Sequence, residues 1–153
     1  MKNRLILLFI AIILIGLSPF ILKIHYKVHN LETINEAEGV TMKIEKETLT
    51  RTGANIIITD ISGNDNTYGN GCKIEIRANG NWRELETING EPITSTMEGH
   101  MVNSEHKLYM HLNWGINYGE LENGEYRVVK SCLSSKNQRY YLYTEFIIND
   151  EIK

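Results

Sequence analysis

The chain is short of the residues from which reaction centres are built. Two cysteines, Cys72 and Cys132, stand sixty positions apart with no Cys-x-x-Cys anywhere, which excludes a zinc cluster, a dithiol redox motif and a multi-bridge disulfide framework. No Gly-x-Ser-x-Gly elbow surrounds Ser134-Ser135, so these read as turn residues rather than nucleophiles. His100, His106 and His111 lack a His-Glu-x-x-His spacing and read as surface histidines. The pairs Glu36/Glu38 and Glu84/Glu86 would suit a glycosidase or a calcium site by residue type, but a solvated acidic face is the plainer reading. No catalytic residue, metal or cofactor is therefore assigned. Positive charge is also scarce where a nucleic-acid surface would need it. Four of the sixteen Lys and Arg lie within residues 1–27, leaving twelve against nineteen acids and a formal charge of −7 for the remainder, which argues against phosphate-backbone binding.

What the chain does have is an apolar start. Leu5 to Leu22 are eighteen consecutive uncharged residues behind Lys2 and Arg4. At ~1.5 Å per residue such a helix covers roughly 27 Å, close to the ~30 Å hydrocarbon core and longer than the usual apolar region of a cleaved signal. Gly16-Leu17-Ser18 imitates a cleavage site poorly, with Pro19 just beyond it, and no cysteine follows to carry a lipid. We expect a single-pass anchor over 1–27, with residues 5–22 in the membrane, and a protein secreted only if that segment is removed. Lys23 and Lys27 nearly balance Lys2 and Arg4. The cysteines and the short N-terminal tail favour an extracytoplasmic domain. Residues 28–39 read as a stalk, with one or two helical turns at Leu31–Glu38.

From Val40 the period changes to two. Val40, Met42 and Ile44 alternate with Thr41, Lys43 and Glu45; Ile56 and Ile58 follow, then Ile74 and Ile76 after a polar Ser62–Gly71 loop. Asn79-Gly80-Asn81 is a hairpin signal leading into Trp82–Ile88, and Asn89-Gly90 with Pro92 closes that strand. Ile93–Glu105 supports at most one short edge strand. Lys107–Trp114, Glu125–Cys132 and Tyr140–Ile148 complete about seven strands without interleaved helices. The expectation is an all-β, antiparallel immunoglobulin-like sandwich over 40–149, with a tail at 150–153.

At Tyr118-Gly-Glu-Leu-Glu-Asn-Gly-Glu-Tyr-Arg-Val-Val-Lys130, and again at Thr67-Tyr-Gly69 and Asn79-Gly-Asn-Trp82, the chain resembles the bacterial immunoglobulin-like domains of secreted and membrane-attached proteins of Gram-positive bacteria. The resemblance spans Val40 to about Ile148. It implies a sandwich outside the cytoplasm and supplies no catalytic residue. Within it Tyr126 reads as a tyrosine corner, with its ring over the core edge and its hydroxyl on nearby backbone. Trp82 and Trp114 read as core or core-edge residues.

Cys72 opens the third expected strand and Cys132 ends the sixth. A disulfide between them would stabilise by roughly 4 kcal/mol on the chain-entropy estimate; two unbonded thiols are the alternative. Arg77, Arg127, Tyr141, Tyr143 and Glu145 share the outward face of the third, sixth and seventh strands, and exposed tyrosines beside arginines are the residue types of protein contact sites. The functional expectation is a non-catalytic, membrane-anchored domain binding a protein or cell-envelope component through that face. Its rival is an inhibitor or regulator of a secreted or membrane enzyme acting through Ser62–Gly71 or Glu91–Glu105. An envelope hydrolase would need a convergent site that the sequence does not offer.

Overall fold

The structure, a computed structural model, describes residues 37–93 and 98–152. The expected anchor over 5–22 and most of the stalk lie outside the described residues. Within the described residues no helix is long and apolar enough to cross a membrane.

Two antiparallel sheets pack face to face. The smaller has the order β1-β2-β7, from β1 (Val40–Ile44), β2 (Gly53–Asp60) and β7 (Lys107–Asn113). The larger is organised around β8 (Gly124–Leu133). One edge of β8 carries β9 (Arg139–Ile148) along its whole length. The other edge carries β4 (Lys73–Ala78) beside Tyr126–Val129 and β3 (Thr67–Gly69) beside Cys132 and Leu133. β5 (Asn81–Glu84) extends the sheet beyond β4, and β6 (Gly99–His100) beyond β3.

The alternation read from the sequence decides which face is dry. Val40 and Met42, Ala54, Ile56 and Ile58, and Leu112 turn inward from the small sheet; Ile74, Tyr126, Val128, Leu142, Phe146 and Ile148 meet them from the large one. Trp114 closes the core, only 1% exposed and stacked on Phe146 at 5.2 Å between ring centroids, and Phe146 stacks in turn on Tyr126 at 5.6 Å. The Tyr126 hydroxyl donates to the Glu122 carbonyl at 2.9 Å, the corner anticipated above. Gly124 is what lets the ring lie there, since a Cβ at that position would sit 3.1 Å from it.

The structure corrects the expectation in several places. Among the described residues there are nine strands rather than about seven. The Ser62–Gly71 loop contains β3, and the strand expected over Trp82–Ile88 runs only from Asn81 to Glu84. A single helical turn, α1 (Gly115–Tyr118), follows β7. The hairpin signal holds: Asn79 and Gly80 both have positive φ, 53° and 78°, as a two-residue turn between twisted strands requires.

Candidate binding face

The outer face of the large sheet is built by register. β4 and β5 are joined by the two-residue turn, so Arg77 lies opposite Trp82 and Glu75 opposite Glu84. On the other side β8 sets Arg127 opposite both Glu75 and Glu145, and β9 sets Tyr143 opposite Val129 and Tyr141 opposite Ser131. Two facing glutamates would repel, and each is answered by a cation. Glu84 takes Lys73 at 3.0 Å, and Glu75 takes the Arg127 Nε–H at 2.5 Å.

Arg127 is the centre of this face. Its guanidinium carbon lies 4.8 Å from the centroid of Trp82 on one side and 5.4 Å from that of Tyr143 on the other. A planar, weakly hydrated cation is suited to such stacking, which adds attraction from each ring. The Arg127 and Glu75 side chains are only 8% and 7% exposed. Arg77 approaches the same Trp82 ring at 5.9 Å and pairs with Glu125 at 3.1 Å, both side chains about half exposed, so that pair adds little.

All five residues singled out from the sequence thus share one face, in different environments. Arg77 and Glu145 are exposed, and Tyr141 and Tyr143 are half-buried. Arg127, expected as an exposed contact residue, is buried, because Trp82 and Tyr143 close over it. Trp82 and Glu75 were missed as members of the face; the Asn79-Gly80 turn, which fixes the β4–β5 register, carries the signal that would have placed them.

The cysteine pair is a correction. Both thiols are free. Cys132 lies opposite Tyr68, whereas Cys72 immediately precedes the Lys73–Val129 pair, so the two sit at different levels of β8. Lys130 falls between those levels and donates its ammonium to the carbonyls of Gly69 and Gly71, the latter at 3.2 Å. Burial pushes the Cys132 thiol up to about 11, with help from the charge of Asp60; burial also raises Cys72, partly offset by Lys130. Neither thiol is an activated nucleophile.

A second polar centre lies at the end of β2. Asp60 is 3% exposed and accepts from the Ser62 hydroxyl at 2.6 Å, the Ser62 N–H at 3.0 Å, the Asn66 amide at 2.8 Å and the Tyr68 hydroxyl at 2.7 Å. Burial alone would raise its carboxyl, but these four hydrogen bonds outweigh burial and hold it below its ordinary value. The network fixes the path of the chain from β2 into β3. The histidines do not converge: His100 meets Asn70 and His111 meets Asn55, and His106 is exposed. Among the described residues, no three His, Cys, Asp or Glu cluster as metal ligands.

No curated protein matches the chain. A family model described as bacterial Ig-like domain matches residues 36–147, which takes in every strand of both sheets but the last residue of β9. The chain belongs to the bacterial Ig-like domain family.

Proposed function

We propose that this protein is a non-catalytic binding module, held at a Gram-positive cell membrane by residues 5–22 with its sandwich outside. On this reading the outer face of the large sheet engages another protein or an envelope component. The observation that carries the reading is the clamp of Arg127 between Trp82 and Tyr143. It holds two aromatic rings in fixed positions, so little side-chain freedom remains to be lost on contact. Around it Arg77, Tyr141 and Glu145 offer a polar and aromatic rim. The apolar length of residues 5–22 supports the anchor.

One observation favours the rival reading. The Ser62–Gly71 segment is pinned through Ser62, Asn66 and Tyr68 to Asp60, leaving Asn64 and Asp65 exposed at its tip, as a preorganised inhibitory loop would be. Capture from solubilised envelope with the full chain tests both. An Arg77→Glu, Tyr141→Ala bait should lose a partner bound by the face and retain one bound by the loop. An Asn64→Ala, Asp65→Ala bait should do the reverse. Equal capture by all three baits would refute both sites.

A further inference from the structure

The large sheet is interrupted between β3 and β4. The β3 ladder on β8 stops at Tyr68–Cys132 and the β4 ladder starts at Lys73–Val129, so the stretch of β8 between them has no laddered neighbour on that side among the described residues. Over this break, on the outer face, lies a pocket of about 230 Å³. Val129 and Ser131, successive outward positions of β8, form its floor. Gly71 and Lys73 bound it on the β4 side, and Tyr141 and Arg139 on the β9 side, where they stand opposite Ser131 and Leu133.

The pocket is positive on an acidic chain. None of its lining residues is Asp or Glu, and Lys73 and Arg139 are both cations. Lys73 is shared with Glu84 at 3.0 Å. Lys130 lies behind the break, its ammonium taken up by the carbonyls of Gly69 and Gly71. Arg139 is exposed and has no ion-pair or hydrogen-bond partner among the described residues. The wall thus carries one uncompensated charge, close to a serine hydroxyl. A guanidinium binds a carboxylate through two parallel N–H bonds, and a hydroxyl can donate a third. One net positive charge matches a carboxylate better than a phosphate monoester, which carries about −1.5 to −2 at neutral pH. The volume points the same way. It falls below the roughly 300–1,000 Å³ of sites that enclose a whole small molecule, and so suits one charged group of a longer chain.

We propose that the β3–β4 break is a subsite for a carboxylate of a partner protein, received by Arg139 with the Ser131 hydroxyl beside it. The inference deepens the reading of this face as a protein-binding surface and rests on it for the nature of the partner.

The test is a chemical-shift titration of the isotope-labelled full chain in mild detergent and low salt. The probes are N-acetyl-tetraalanine as the free acid, the same peptide as its C-terminal amide, an N-acetyl-Ala-Ala-Glu-Ala amide, and inorganic phosphate. At least one of the two carboxylate peptides should shift Ser131 and Arg139 and bind about tenfold or more tightly than the uncharged amide. The free acid and the glutamate peptide then separate a chain terminus from an acidic side chain as the source. Arg139→Gln should abolish the preference with the urea midpoint unmoved, and Lys136→Gln, an equal loss of charge in the β8–β9 turn, should keep it. Carboxylate peptides that bind no better than the uncharged amide would overturn the proposal, as would a preference that survives Arg139→Gln or is lost equally in Lys136→Gln. Phosphate binding more tightly than either carboxylate peptide would overturn the choice of carboxylate. The titration needs no envelope component. Carboxylate binding beside unchanged capture by the Arg77→Glu, Tyr141→Ala bait would therefore fault the face and leave the pocket standing.

Discussion

Replacing Arg127 with alanine tests whether the outer face of the large sheet is as dry as the structure has it. The substitution removes the partner of a carboxylate whose side chain is 7% exposed. Breaking a buried pair in this way costs about 3–5 kcal/mol, because the remaining charge is left uncompensated. Losing the contacts to Trp82 and Tyr143 adds about 0.5–2 kcal/mol, not strictly additive. Against a total stability of about 5–15 kcal/mol this is a large fraction. With a urea slope of about 2 kcal/mol/M the unfolding midpoint should fall by roughly 2 M. Fluorescence of the two tryptophans, both within the sandwich, reports the transition. The control is Arg127→Leu with Glu75→Leu, which removes both charges together and should recover most of the loss. Arg127→Lys should fall between, since it keeps the charge and gives up the planar stacking. If Arg127→Ala costs less than about 1 kcal/mol, the range of an exposed pair, then Glu75 finds water and the clamp is not a buried structure.

Three further outcomes are expected. Asp60→Asn should cost about 1.5–3 kcal/mol at neutral pH, where the carboxylate accepts four hydrogen bonds. Because the folded state holds Asp60 below its ordinary value of 3.8, its contribution is complete above that value and is lost as pH falls through the lower folded one. Wild type and Asp60→Asn should therefore converge in urea midpoint in strong acid, and a constant gap would contradict the assignment. Tyr126→Phe should cost about 0.5–1.5 kcal/mol for the bond to Glu122, while Gly124→Ala should cost more than its strand position suggests, by pushing on the Tyr126 ring. Adding a reductant should leave the melting temperature unchanged, and thiol labelling at neutral pH should await unfolding, given a Cys132 thiol at about 11; a drop on reduction would restore the disulfide reading.

The sequence was readable wherever one face of a strand had to be dry. β1, β2, β4, β7, β8 and β9 each place apolar side chains on alternate positions, and the inward residues are those that the alternation names. It was unreadable where tertiary contact and not pattern makes the strand. β3 is three residues long in a Gly-rich stretch, and Tyr68 is held there by a hydroxyl bond to Asp60, eight residues away. The same holds for Arg127. Parity places it outward, as read, but its burial comes from Trp82, which reaches it across β4 from β5. Lys130 also escapes the pattern. It occupies an inward position between Val128 and Cys132 and is 1% exposed, because between the pairs Tyr68–Cys132 and Lys73–Val129 the chain sets four residues against two of β8. The carbonyls of Gly69 and Gly71, displaced from the ladder, are satisfied by its ammonium.

The residues that bear the resemblance are nearly all occupied in holding the sandwich together. The Tyr118 hydroxyl accepts from the Ile74 N–H at 3.2 Å, Leu121 is buried, and Gly124 clears space for Tyr126. Arg127 neutralises Glu75, Lys130 ties down the β3–β4 break, and Tyr68 bonds Asp60. A motif composed of such residues specifies a fold and carries no ligand with it. On the proposed reading, partner choice would rest on side chains that the motif does not include and the core does not use. On the large sheet these are Arg77, Tyr141, Glu145 and Arg139. Arg77 and Glu145, being exposed, should exchange with little loss of stability, within about 0.5 kcal/mol. A change in association on their substitution, with the urea midpoint unmoved, would then report recognition rather than folding.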